Sequence, residues 1–432
     1  MIGGLILFLG LIVLLLMRTP IFLALIFSGS IAFITSFGFS SWCHWISFSP
    51  WSLFSKYHYS VIPLFLLMGQ IASNGNITKE LFAVAANFGR NSRGSIAIAT
   101  IISCGIFGSL CGSSLATAAT MTKISYNEMH KRNYSQEIIF GTLAAGGTLG
   151  ILIPPSIILV IYATIAEESI AHLSLAAIVP AIIALLGYIG AIQFYAYKYP
   201  NEVPNINRKK KFLNNKEIVV PIAIFVLFVI MLSGLYTGKF APTEAASVGV
   251  VGVICIVILI GNWKYLNWNQ IFIETAKTTA IIMAIFIGAE LFNTALNIMN
   301  FPEEVCDLIL LFSDYPKIII FVIIASLILL GCFMDGIAIV LLVVPLLIPI
   351  ITNIDLGINP KNVSIWFGII ILMVVEIGLI TPPVGMNLFV IRSVESRLKK
   401  TNIFKSIKYF LITDLIRILL LVIFPSMMIL PY

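Results

Sequence analysis

The sequence predicts an all-α polytopic membrane protein built from two inverted-topology repeats, and three observations predict it. Apolar runs long enough to span a bilayer recur along the 432 residues, basic residues gather in the connections between them, and a motif ending in Pro-Pro occurs twice. With 59% hydrophobic and 10% charged residues and a mean hydropathy of +1.05, the chain has no way to withdraw its apolar surface from water as a soluble protein. The net charge of +7 reads as topology rather than nucleic-acid binding, because the cations lie between apolar runs. Cys43, Cys104, Cys111, Cys255, Cys306 and Cys332 are scattered, with no CxxC and no histidine at ligand spacing. They predict packing residues, not a disulfide framework or a metal site.

At roughly 20 apolar residues per crossing, spans fall near residues 2–17, 21–38, 51–73, 95–122, 136–163, 171–197, 218–236, 243–262, 271–298, 318–351, 363–391 and 408–431. The first lacks a basic leader and a small-residue cleavage site, so it reads as retained rather than as a signal peptide. Residues 198–217 carry Lys198, Arg208, Lys209, Lys210, Lys211 and Lys216, which places this linker in the cytoplasm. It separates a first repeat, 1–197, from a second, 218–432.

Charge then exposes two anomalous spans. Loop 123–135 has Lys123, Lys131 and Arg132, and loop 74–94 has Lys79, Arg90 and Arg93. Both belong in the cytoplasm, so the two ends of 95–122 share a side. Two arms of about 13 residues, each climbing roughly 20 Å, make a re-entrant hairpin that reaches the midplane. Glycine and serine in Gly105–Ser114 supply its turn. In the second half, Asn300–Pro316 holds Glu303, Glu304, Asp307 and Asp314 without a compensating cation before Lys317, and so reads as external. The cluster Arg392, Arg397, Lys399, Lys400, Lys405 and Lys408 reads as cytoplasmic. Span 318–351 must then enter and leave from outside, a second hairpin upside down relative to the first, turning near Gly331–Gly336.

Each hairpin is followed by a helix with the repeated motif, Gly150-Ile151-Leu152-Ile153-Pro154-Pro155 in 136–163 and Gly378-Leu379-Ile380-Thr381-Pro382-Pro383 in 363–391. A weaker echo links 63–70 with 283–290. Proline withholds a donor and clashes with the carbonyl four residues earlier, so Pro-Pro breaks a membrane helix and frees backbone groups. Freed carbonyls and nearby hydroxyls are hard oxygen ligands suited to Na⁺, and half-helix N-termini favour a carboxylate. Inverted repeats with broken helices point to a secondary transporter with its site near the midplane. The aromatic stretch Phe39–Tyr59 reads as an outer interfacial segment and Asn262–Asn269 as its inner counterpart, or either as contact for a partner subunit.

The runs PLFLLMGQIASNG (63–75), GSSLATAA (112–119), GGTLGILIPPSIILVIYA (146–163), APTEAASVGVV (241–251), GCFMDGIAIVLLVVPLLIPI (331–350) and GLITPPVGMNLFVI (378–391) resemble the large membrane subunit of TRAP transporters, the tripartite ATP-independent periplasmic family, in that order over nearly the whole chain. The resemblance implies an elevator-type importer in a bacterial inner membrane that carries a small carboxylate: a C4-dicarboxylate, a sialic acid or a related organic acid. It implies sodium as coupling ion and no other cofactor. The implied partners are a small four-helix membrane subunit and a periplasmic binding protein. The alternative is a self-sufficient carboxylate carrier that needs no binding protein.

Carried onto this chain, the resemblance implies site residues Ser113, Ser114, Gly147, Thr148, Pro154, Pro155, Asp335, Thr381, Pro382 and Pro383. Asn387 in the last matched run and Glu376, an ionisable group within an apolar run, complete the binding candidates, with Na⁺ ligands drawn from Ser113, Ser114, Gly147, Thr148, Gly378 and Thr381. Two positions depart from the family pattern. Asp335-Gly336 stands where the family has Asp-Pro, and Arg18 where it has a small residue. Several of these residues have a second reading from their surroundings in the sequence. Asp335 either handles substrate or ion, or caps a turn; Glu376 either serves the site or holds helix ends together, and Glu290 either serves it or pairs across a helix interface. Ser113 and Ser114 either bind or merely permit a tight turn, and Asp414 and Arg417, three apart on one helix, should pair. His44, His58, His130 and His172 lie in or beside predicted loops or at a helix start, and no facing nucleophile and base or aspartate pair is evident, which argues against an enzyme.

Overall fold

The computed structural model describes residues 2–17, 19–88, 93–204, 215–312 and 315–428. Arg18, Arg90, the basic run 208–211 and Asp314 lie outside the described residues. Among those described there is no strand. The α-helices in chain order are α1 (Ile2–Leu16), α2 (Ile21–Phe54), α3 (Val61–Asn74), α4 (Ile77–Phe88), α5 (Ser95–Cys111), α6 (Ser114–His130), α7 (Gln136–Leu152), α8 (Ile157–Ile165) and α9 (Ile170–Lys198) in the first part. The second part has α10 (Asn215–Tyr236), α11 (Pro242–Ile260), α12 (Trp268–Ile298), α13 (Phe301–Leu310), α14 (Pro316–Gly331), α15 (Gly336–Thr352), α16 (Pro360–Ile380), α17 (Met386–Val394) and α18 (Ile403–Ile423). By length and composition α2, α9, α10, α11, α12 and α16 can each cross a membrane, and α7 with α8 adds a seventh crossing if that bent pair is one span.

Helices α5 and α6, and again α14 and α15, are pairs joined by a tight turn. Their arms have 16 or 17 residues, about 25 Å of helix against roughly 30 Å of hydrocarbon. No arm spans the core alone. Gly112 makes the first turn with a left-handed φ of 61°, a conformation that costs glycine nothing extra. Ser113 then caps α6 by accepting from the Ala116 N–H at 3.4 Å. Asp335 caps α15 in the same way, its Oδ1 accepting from the Ala338 N–H at 3.0 Å.

Several boundaries differ from the sequence-based spans for physical reasons. Helix α6 continues to His130, past the expected end at 122, because turning polar does not unwind a helix. Glu128 and Arg132 pair at 3.1 Å one turn apart, and the chain departs only at Asn133, whose φ is 59°. Helices α4 and α13 fold inside stretches expected to be loops, 74–94 and 300–316. Pro302 and the acidic Glu303 and Glu304 in the first turn favour a start there. Helix α2 extends to Phe54, interrupted only at Gly38 (φ 82°, ψ 165°), so the start of the expected 51–73 span belongs to it. Trp42, Trp45 and Trp51 ride on its second part, and His44 sits within it.

Pro-Pro interrupts one helix in each part. Helices α7 and α8 flank residues 153–156 and bend by 42°; α16 and α17 flank residues 381–385. The Pro154-Pro155 and Pro382-Pro383 bonds are both cis. Of the crossing helices α16 is the central one, with 94% of its apolar window buried against 33–50% for the other five that span alone.

Each hairpin touches its interrupted helix through a pair of glycines. A Cβ on Gly108 would stand 2.5 Å from the Gly150 Cα, and one on Gly378 would stand 2.5 Å from the Gly331 Cα. Both neighbours are backbone, so no rotamer change relieves the clash. Gly108→Ala should cost about 1–3 kcal/mol by overpacking, read as a lower thermal midpoint. An unchanged midpoint would show that the two backbones part freely.

Helix α15 carries Pro345, which withholds the donor that would close on the Leu341 carbonyl four residues earlier. Asn293 of α12 supplies a substitute, its Nδ2 donating to that carbonyl at 2.9 Å. At one end of the bundle, α9 and α18 are clamped through Glu202, which accepts from Lys405 Nζ at 2.6 Å and from the hydroxyls of Ser135 and Tyr195. Partial burial works against ionisation, yet these donors hold the Glu202 carboxyl below its ordinary value.

Candidate functional site

A cavity of about 190 Å³ lies where the two hairpins and the two interrupted helices meet. Gly112, Ser113 and Ser114 line it from the first tip, and Asp335 and Gly336 from the second. Ile151, Ile157 and Leu379 line it from beside the breaks. Leu66 of α3 and Thr278, Ile281, Ile282 and Ile285 of α12 close the remaining wall. Ile151 and Leu379 hold equivalent places in the repeated motif, four residues before Pro155 and Pro383. Those prolines withhold the donors that would otherwise close on the Ile151 and Leu379 carbonyls. The N-terminal turns of α6 and α15 also face this space through their capping residues. Unpaired N–H groups there favour an anion, so the surroundings combine carbonyl and hydroxyl oxygens with helix N-termini.

The expected site residues separate into three groups. Ser113, Ser114 and Asp335 line the cavity. Asn387 is fully buried beside it: its Oδ1 accepts from Ser114 Oγ at 2.8 Å and its Nδ2 donates to the Ala144 carbonyl at 3.3 Å. One amide thereby joins the first hairpin tip, α7 and the segment after the second break. Gly147 faces the same cluster, since a Cβ there would lie 2.8 Å from Ala118 Cβ and 3.2 Å from Asn387 Nδ2.

Gly378, Thr381, Pro154 and Pro382 form the breaks themselves. The Thr381 hydroxyl donates to the Ile377 carbonyl at 2.6 Å, and its N–H reaches the Gly378 carbonyl at 3.1 Å. Cys332 of the second hairpin reaches the Pro382 carbonyl with its thiol at 3.5 Å.

Thr148 and Glu376 point elsewhere. Because Tyr188 of α9 gives its proton to Asp414, the Thr148 hydroxyl is the donor to the Tyr188 hydroxyl at 3.1 Å, and it shares that one proton with the Ala145 carbonyl at 2.7 Å. Glu376 accepts from Arg417 Nη2 of α18 at 2.7 Å, and the same nitrogen lies 3.0 Å from Asp414. The Asp414–Arg417 pair expected from spacing is present; Glu376 as its third member, and Tyr188 donating to Asp414 at 2.9 Å, are not readable from spacing. A signal existed, because a cation in an apolar run needs a buried anion and Glu376 is a carboxylate within a neighbouring run. Glu290 of α12 lies away from this cavity, in a separate pocket of about 230 Å³ with Lys56, Tyr59 and Asn293.

Gly336, the departure from Asp-Pro, is the first helical residue of α15, and its φ is not left-handed. The turn therefore does not depend on glycine there. A Cβ would meet the ends of Ile158 and Val375, each at 2.7 Å, so these two side chains occupy the volume that a proline ring needs.

The profile of the family described as tripartite ATP-independent periplasmic transporter, DctM component, matches residues 8–427. The chain is 34% identical to the C4-dicarboxylate TRAP transporter large permease protein DctM of Pseudomonas aeruginosa over 78% of both chains. It is 30% identical to the sialic acid TRAP transporter large permease protein SiaM of Vibrio cholerae over 77% of this chain and 76% of that one. To the 2,3-diketo-L-gulonate TRAP transporter large permease protein YiaN of Escherichia coli it is 28% identical over 86% and 85%. A profile match across nearly the whole length, together with relatives 30–34% identical over more than three quarters of the chain, makes this chain a member of the DctM family of TRAP transporter large permeases.

Proposed function

We propose that the protein is the transport subunit of a sodium-driven importer of a small carboxylate in a bacterial inner membrane. It works with a small membrane subunit and a periplasmic binding protein. The observation that carries this reading is the convergence of both hairpin tips and both Pro-Pro breaks on one cavity. Hydroxyls of Ser113 and Ser114 and carbonyls freed at the breaks suit Na⁺, while the N-terminal turns of α6 and α15 suit a carboxylate. The named relatives carry a C4-dicarboxylate, a sialic acid and a keto sugar acid, all carboxylates, which supports the same class here.

In this reading the two halves are inverted repeats, and the hairpins and interrupted helices move together against α3 and α12, carrying the cavity from one face to the other. Uptake by the protein reconstituted with both partners should require an inward sodium gradient and the binding protein. Undiminished uptake with the gradient collapsed and the binding protein withheld would sink the proposal and favour a self-sufficient carrier.

A further inference from the structure

Thr148 and Glu376 hold the same place in the two interrupted helices. Each stands two residues before the glycine that touches its hairpin and six before the first proline. Two residues are about 200° around a helix, so each side chain faces away from the hairpin. Thr148 meets α9, the helix that closes the first part of the chain, and Glu376 meets α18, which closes the second. Those closing helices are themselves joined, because Tyr188 of α9 donates to Asp414 of α18 at 2.9 Å. The result is one path of five side chains on four helices: Thr148, Tyr188, Asp414, Arg417 and Glu376. Each is 2% exposed or less.

The path is poorly arranged for stability alone. Arg417 presents one nitrogen, Nη2, to both carboxylates, while its Nε and Nη1 and Glu376 Oε1 have no partner among the described residues. A purely structural guanidinium gains most from two parallel bonds to one carboxylate, and an imperfectly satisfied buried charge cluster gives little net stability. What this arrangement does supply is a fixed connection between equivalent points of the two breaks.

We infer that Tyr188 is a positioning residue that couples the two breaks, so that a cation seated at one sets the geometry of the other. The inference rests on the sodium reading above. Tyr188→Phe removes one oxygen and keeps the ring, which packs edge-on against Phe410 at 5.7 Å. The separate Glu202–Lys405 clamp still holds α9 to α18.

In the full chain reconstituted with its partners, Tyr188→Phe should raise the sodium concentration for half-maximal uptake about fivefold or more. The substrate concentration for half-maximal uptake at saturating sodium should stay within about twofold. These sizes correspond to an intact or a lost hydrogen bond in the path. Thr148→Val should produce the same shift, and the double variant no larger one, because both break a single path. The sodium-induced rise in thermal midpoint of the purified chain is measured alongside. An unchanged sodium response in Tyr188→Phe overturns the coupling, as do fully additive shifts in the double variant. A variant that melts lower yet gains the full sodium increment also overturns it, since that marks a structural role only. If the unsubstituted protein itself shows no response to sodium, the ion reading fails first and is recognised separately.

Discussion

Asp335→Asn should reduce uptake by about 10- to 100-fold, the weight of one interaction with a charged group, while the purified protein keeps its thermal midpoint. The two readouts part because of where the residue sits. Asp335 caps α15 through Oδ1, and asparagine caps a helix about as well as aspartate. The same side chain also lines the cavity between the hairpin tips, where only aspartate brings a charge. A loss of transport with an intact fold therefore assigns the charge to the site. Normal transport by the variant would leave Asp335 as a cap and nothing more.

Arg417→Met should be the most destructive single change in the chain. It leaves Glu376 and Asp414, at 0% and 1% exposure, without their shared cation, and breaking one partner out of a buried charge cluster costs about 3–5 kcal/mol. The expected result is near-complete loss of folded, monodisperse protein from detergent extracts. Adding Glu376→Gln and Asp414→Asn to the same chain should restore most of the folded yield, because removing every charge of such a cluster is often neutral. Folded yield from Arg417→Met equal to that of the unsubstituted chain would mean that the carboxylates are not charged when the cation is gone.

Some of this architecture was legible because membranes make backbone interruptions conspicuous. A glycine-serine turn or a Pro-Pro pair inside an apolar run has few explanations in hydrocarbon, and charge in the connections marks 95–122 and 318–351 as paired helices rather than single crossings. Helix ends were less legible, since hydropathy registers where α6 leaves the apolar zone rather than where Asn133 finally turns the chain. The charged stretches holding α4 and α13 read as loops because polarity marks solvent and not conformation. At the cavity, Ser113, Ser114 and Asp335 were visible as polar residues at turns. Its α12 wall carried no signal, because Ile281, Ile282 and Ile285 look like any lipid-facing isoleucine. Tyr188 was hidden for the same reason: a tyrosine in an apolar run usually reads as packing, and only its neighbours reveal the hydroxyl's purpose.

The hydrogen bond from Asn293 to the Leu341 carbonyl has a mechanical consequence. Pro345 ensures that α15 cannot satisfy that carbonyl from within, so wherever the helix stands, some outside donor must face it. A buried carbonyl left without a donor costs about 1–3 kcal/mol. If the hairpins move as proposed above, a slide of α15 along α12 exchanges this donor for another. In the moving-hairpin reading proposed above, the amide would act as a detent, giving the hairpin discrete resting stations instead of a continuous glide.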